Sequence, residues 1–169
     1  MKMTSAQAAK ELKTLKDQFD ALEALENKSK EFIVSIQEDV ESVRPQYDFS
    51  SKQIELSELE ERIRKLKHAI NQFNISQEVP GFDMTIDQML VYIPQLTARK
   101  KKLDRMRKRL PKERANDDGF RSNNIIEYRY ANYDIALAES EYKRVSGELA
   151  KAQNALDALN STVVFEVES

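Results

Sequence analysis

Few residues in this 169-residue chain could do chemistry by type, and fewer have the spacing for it. His68 is the only histidine and there is no cysteine. Disulfides, thiolate metal sites and cysteine nucleophiles are therefore absent. His68 falls between the apolar seam positions Leu66 and Ile70, on a charged helix face, where a solvated surface histidine is the expected state. A diiron bundle needs Glu-x-x-His on each of two helices. Here Lys65 stands three residues before His68 and no second histidine exists, so no metal and no cofactor are expected. The chain also lacks a phosphate-binding glycine loop, a dinucleotide fingerprint and a nucleophile elbow. Its many carboxylates share helices with many lysines, which is the pattern of solvated faces and i,i+4 ion pairs. Nothing in the sequence supports catalysis, and the expectation is a protein without a catalytic residue.

One charge run stands out. Arg99 to Arg114 holds ten basic and two acidic residues, net +8 in a chain of formal net charge −2. Arg99, Lys100, Lys101, Arg105, Lys108 and Arg109 are the candidate anion-binding residues, for nucleic acid or an anionic surface. The competing reading is structural. Basic residues suit a helix C-terminus, and the run can pair with acidic helices. No aromatic residue is interleaved in the run, which weakens stacking on a single strand, so nucleic acid is not the favoured partner. Asn71 and Asn74 near a helix end are read as conformational, capping backbone groups.

The elements that must position these residues are long amphipathic helices. Apolar residues make up 40% and charged residues 33%, with three glycines and four prolines, a balance that favours helices with solvated flanks over disorder. Pro45, Pro80-Gly81, and Pro111 with Gly119 punctuate the chain into four helical runs. The first, about 5–44, opens at Thr4 with Gln7 completing a capping box. Its seam is Leu12, Leu15, Phe19, Leu22, Glu26, Ser29, Ile33, Ile36, Val40 and Val43, a heptad spacing with only two polar members. The second, about 52–76, carries Leu56, Leu59, Ile63, Leu66, Ile70 and Phe73. The third, about 85–110, opens on Thr85 with Gln88 and contains Pro94, expected to kink its first turns. The fourth, about 133–160, opens near Asn132 or Asp134 and contains Gly147. Short links predict antiparallel neighbours in an up-down order. The fold class is mainly α: an antiparallel long-helix bundle or coiled coil in a single elongated domain, 1–169.

Two segments, 125–130 and 162–167, are rich in β-branched and aromatic residues and predict short strands. A straight fourth helix about 40 Å long separates them, so they cannot pair with each other within one chain. The terminal strand should then pair with 75–82, or with strand 125–130 of an antiparallel second copy. A first helix longer than the rest should also project at residues 5–20. These arguments make Leu12, Leu15, Phe19, Val164, Phe165, Tyr128 and Tyr130 the candidate oligomer interface.

The stretches Leu59–Asn74, Met84–Leu90 and Ile126-Glu-Tyr128, followed by the last helix and Asn160, carry a family resemblance. Two asparagines three apart, a threonine-led helix start and an Ile-Glu-Tyr strand resemble the septicolysin-like family of bacterial coiled-coil proteins, over about residues 55–167. Ser161 stands where many members carry a tryptophan. The resemblance implies a helical fold and an oligomer, and no reaction. The pore-forming activity in the family label is not carried over, because this sequence has no membrane-active segment.

The expected function is thus that of a homo-oligomeric coiled-coil interaction or scaffold protein, a dimer or higher. The alternative is a nucleic-acid or anionic-surface module using 99–114. The N-terminal stretch has no apolar leader region and no apolar run nears the roughly 20 residues of a membrane span. A cytoplasmic protein with no membrane partner is expected.

Overall fold

A computed structural model describes residues 1–115 and 126–167. It is mainly helical, with two short antiparallel strand pairs, as the apolar periodicity requires. The element order is β1 (Lys2–Thr4), α1 (Ser5–Ser29), α2 (Val40–Val43), α3 (Phe49–Ser76), α4 (Ile86–Arg107), β2 (Lys112–Arg114), β3 (Tyr128–Tyr130), α5 (Ile135–Thr162) and β4 (Val164–Glu166). Gly119 and Ile125 lie outside the described residues. The chain divides into two compact units, one of residues 1–77 with 158–169 and one of residues 78–157.

Local chemistry sets most helix starts. Thr4 and Thr85 each accept from the backbone N–H three residues on, while Gln7 and Gln88 reach back to the threonine N–H at 2.9 and 3.0 Å. Both capping boxes are formed as read. Asp134 caps α5, accepting from the N–H of Ala136 at 2.7 Å and of Leu137 at 3.3 Å. The turn into α4 runs Val79-Pro80-Gly81-Phe82, closed by Phe82 N–H donating to the Val79 carbonyl at 3.0 Å. Gly81 has φ of 80°, so this is the turn that wants proline second and glycine third. The end of α3 departs from the reading of Asn71 and Asn74 as caps. The Ser76 hydroxyl donates to the Gln72 carbonyl at 2.8 Å instead.

In the first unit α1 packs on α3. Met3, Ala8, Leu15, Leu66 and Val167 are buried together, with Leu12, Leu59, Ile63, Ile70 and Phe165 packed against them. β1 pairs antiparallel with β4, placing Met3 opposite Phe165 and Lys2 opposite Glu166. Strand alternation turns Met3, Phe165 and Val167 to the core and Val164 and Glu166 to solvent. The Phe165 ring stacks on Phe73, centroids 4.6 Å apart. In the second unit Val79, Ile86, Met89, Leu96, Leu103, Ala138, Val145, Leu149, Ala152 and Leu156 are buried.

Three expectations are corrected. The first helix ends at Ser29, not residue 44, and the four residues of α2 stop at Arg44, held extended (ψ 121°) before Pro45. With 25 and 28 residues, α1 and α3 match in length at about 40 Å. Fifteen further residues of helix would have faced no partner in the chain, and an isolated helix of that length is marginal in water. Residues 5–20 consequently do not project, since Ala8 and Leu15 are core. Lastly, the terminal strand avoids strand 125–130 of its own chain as argued, but its partner is β1, which the sequence marks only as the approach to a helix cap. Strand 125–130, observed as β3, pairs with β2, a Lys-Glu-Arg triplet without β-forming residues. Neither strand needs a second copy to find a partner.

Candidate interaction surfaces

The structure distributes the candidate residues over three places. Of the proposed oligomer interface, Leu12, Leu15 and Phe165 pack inside the first unit, Phe19 is half-buried, and Val164, Tyr128 and Tyr130 are exposed. His68 is exposed, as its helix position predicted.

The connector between α1 and α3 presents an apolar surface in the first unit. Its base is polar and fixed. Glu26, the first polar entry in the seam, accepts from the Tyr47 hydroxyl at 2.5 Å and from Gln53 Nε2 at 2.7 Å. That bond pushes the Tyr47 hydroxyl up to about 12, because ionising it would set two negative charges side by side. The Arg44 guanidinium grips Glu41 at 2.7 Å and lies 5.2 Å from the centre of the Phe32 ring. Between these clamps Ile33 is 97% and Ile36 105% exposed, joined by the exposed Val40 and Val43. Leu25, Phe49 and Ile54 nearby are also exposed. In sequence these residues continue the heptad of α1, a pattern that predicts a buried seam, and the structure leaves them in water.

A groove of about 450 Å³ opens beside the core of the same unit. Its floor is Met3, Leu15, Leu66 and Val167, and its rim carries Glu58, Glu61 and Lys65, with Arg62 3.6 Å from Glu11. Among the described residues no cluster of three or more histidine, aspartate or glutamate side chains is placed to hold a metal ion.

The basic run ends in the second unit as a partly neutralised ladder. Arg99 pairs with Glu141 at 2.6 Å, Arg107 with Asp104 at 2.8 Å and Glu139 at 3.0 Å, Lys108 with Asp104 at 2.6 Å, and Arg109 with Glu113 at 2.7 Å. Tyr92 hydrogen-bonds Glu148, and Arg144 bridges Glu141 and Glu148. These contacts run α4 antiparallel to α5. Hydrogen bonds from Lys108 and Arg107 hold Asp104 below the usual carboxylate range, and those from Arg107 and from Arg144 do the same for Glu139 and Glu141. Arg107 also lies 4.1 Å over the Tyr142 ring, with Lys100 at 6.0 Å. Half of the candidate anion-binding set, Arg99, Lys108 and Arg109, is thus held by carboxylates. Lys101, Lys102, Arg105 and Arg114 have no carboxylate partner among the described residues.

At the end of this ladder β2 and β3 form a two-faced hairpin. Ala131 N–H donates to the Pro111 carbonyl at 3.1 Å, and the Tyr133 hydroxyl to the Met106 carbonyl at 2.9 Å, which moors it to α4. Lys112 sits opposite Tyr130 and Arg114 opposite Tyr128, while Glu113 sits opposite Arg129. Directly opposed residues share a face. One face therefore carries two cations and two tyrosines, and the other the Arg129–Glu113 pair at 3.4 Å. The Lys112 ammonium is 4.2 Å from the Tyr128 ring centre and 5.4 Å from that of Tyr130. The run has no aromatic residue in sequence, but folding brings two beside it.

No protein-family model and no curated protein matches the chain. Among solved structures it is similar to a conserved protein from Corynebacterium diphtheriae described as functionally unknown, with 18% identity and a TM-score of 0.62, covering 98% of this chain and 100% of that one. The likeness shows a shared fold. No described helix is long and apolar enough to cross a membrane.

Proposed function

We propose that the protein is a self-associating interaction or scaffold protein of the cytoplasm, with no reaction of its own, and that copies meet through the connector 30–48. The observation that carries this is the pair Ile33 and Ile36, almost wholly in water on the connector, with Val40 and Val43 of α2 also exposed. A soluble chain rarely keeps such a stripe uncovered. An apolar surface on a non-helical connector can be covered by the same surface of a second copy in a two-fold contact, where each chain gives the same patch. Leu25, Phe49 and Ile54 are exposed as well and extend the surface that a second copy would cover. The septicolysin-like resemblance, which implies an oligomer, points the same way.

The test is light scattering of the wild type and of Ile33→Glu/Ile36→Glu. Both side chains are exposed, so the variant keeps its fold and its circular dichroism. The wild type should be an oligomer at micromolar concentration and the variant a monomer. A monomeric wild type, or a variant that assembles as before, overturns the proposal.

A further inference from the structure

We infer that the outer face of the β2–β3 hairpin, formed by Lys112, Arg114, Tyr128 and Tyr130, is a docking site for single-stranded nucleic acid. It lies in the second unit and does not depend on the self-association proposed above.

The argument starts from how the hairpin sorts its residues. Strand alternation sends the acidic Glu113 to the other face, where Arg109 and Arg129 neutralise it. The outer face keeps two cations and no carboxylate within the strands. Tyr128 and Tyr130 remain 51% and 63% exposed, although buried tyrosine rings are among the larger contributors to a core. They stand two residues apart on one strand, about 6.6 Å, far enough for consecutive bases of an unstacked strand to take one ring each. Lys112 lies over both rings in the free protein, so a base that takes a ring face displaces its ammonium, which can then pair with the phosphate joining two such bases. Arg114 supplies a second cation beside Tyr128.

Charge along the approach agrees. Lys101, Lys102 and Arg105 on α4 lack carboxylate partners among the described residues, and α4 leads directly into β2. Flat aromatic faces alternating with cations are the combination that binds single strands without regard to sequence, each ring taking any base. A duplex hides its base faces in the stack and gives the tyrosines nothing to bind. A protein partner would meet the same rings, but a face with two lysine or arginine side chains and, among the described residues of the strands, no acid selects a polyanion. The ion-paired half of the ladder has a supporting role, since Arg107 and Arg109 hold the end of α4 and the start of β2 in place.

The experiment uses the full chain and a fluorescein-labelled oligothymidylate of about 20 nucleotides, longer than a typical single-strand site, read by anisotropy at low and moderate salt. The expected result is binding at low salt that weakens steeply as salt rises. Tyr128→Ala/Tyr130→Ala should weaken it about tenfold or more, while Tyr128→Phe/Tyr130→Phe, which keeps the rings, should leave it within about twofold. Arg114→Gln should weaken binding and shallow the salt slope by about one unit. Arg129→Gln removes the same charge from the opposite face and should change little. Three results would overturn the assignment. They are no binding of oligothymidylate at low salt, equal losses for Arg114→Gln and Arg129→Gln, or tighter binding to phosphatidylserine vesicles or duplex than to the single strand. The phenylalanine pair also separates a folding defect from a lost contact, because it preserves the hairpin packing.

Discussion

Replacing Phe165 with alanine tests how the terminal strand is held. The side chain is half-buried, lies opposite Met3 across the β1–β4 pair and stacks on Phe73 with ring planes 18° apart. Full burial of a phenylalanine stabilises by about 1.5–3 kcal/mol, so half burial contributes about 1 kcal/mol. The stacked geometry adds about 1 kcal/mol, for an expected loss of about 2 kcal/mol. In a chain of this size that lowers the melting temperature by roughly 4–8 °C. Thermal circular dichroism measures it, and a cycle with Phe73→Ala isolates the ring pair. If the rings meet as described, the double variant loses about 1 kcal/mol less than the two singles added together. A loss below about 0.5 kcal/mol, or strictly additive effects, would mean that the rings do not meet within one chain. The pairing of β4 with its own β1 would then be wrong, and a second copy would have to supply the strand.

Other perturbations report on single contacts. Thr85→Ala removes the hydroxyl that accepts from Gln88 N–H and should cost about 1 kcal/mol in chemical denaturation; no change would mean the box does not set the start of α4. Gly81→Ala meets no atom but forces a side chain onto φ of 80°, so it should cost about 1–2 kcal/mol, and a neutral result would refute the turn. Asp104, Glu139 and Glu141 are held below their ordinary values of 3.8, 4.5 and 4.5. Their contribution to stability is therefore complete above those values and is lost as pH falls through the lowered ones. Acid titration of the wild type should show this loss below about pH 4.5, and Glu139→Gln/Glu141→Gln should flatten it; an unchanged profile would refute the ladder. In alkaline titration followed by tyrosinate absorbance, Tyr47 should ionise near 12 and return towards 10 in Glu26→Gln.

What the sequence disclosed divides by range. The capping boxes at Thr4 and Thr85, the Asp134 cap and the Pro80-Gly81 turn were legible because each is decided within four residues. The end of α1 was not, because it depends on how far α3 reaches. Glu26 and Ser29 in the seam were the available sign, since two polar members in one turn mark where the apolar contact row gives way, and Glu26 meets Gln53 in the first turns of α3. Of the four strands among the described residues, β3 and β4 announced themselves by composition. Lys2-Met-Thr and Lys112-Glu-Arg carry no such signal and become strands only because a partner presents its edge. The candidate surfaces followed the same rule. The basic run was plain in composition, but which of its members are free depended on acids from α5, some 30 to 40 positions away. The tyrosines of the hairpin could be placed beside it only through cross-strand pairing.

The discontinuity of the first unit has a consequence for synthesis. Residues 78–157 are contiguous and can pack as soon as they leave the ribosome. The first unit is completed last, because β1 and its core residue Met3 find their partner only when β4 has been made. At about 5–20 residues per second, that interval is on the order of ten seconds or more. For that time α1 and α3 carry an apolar flank that a chaperone, or a neighbouring nascent chain on the same message, is free to occupy.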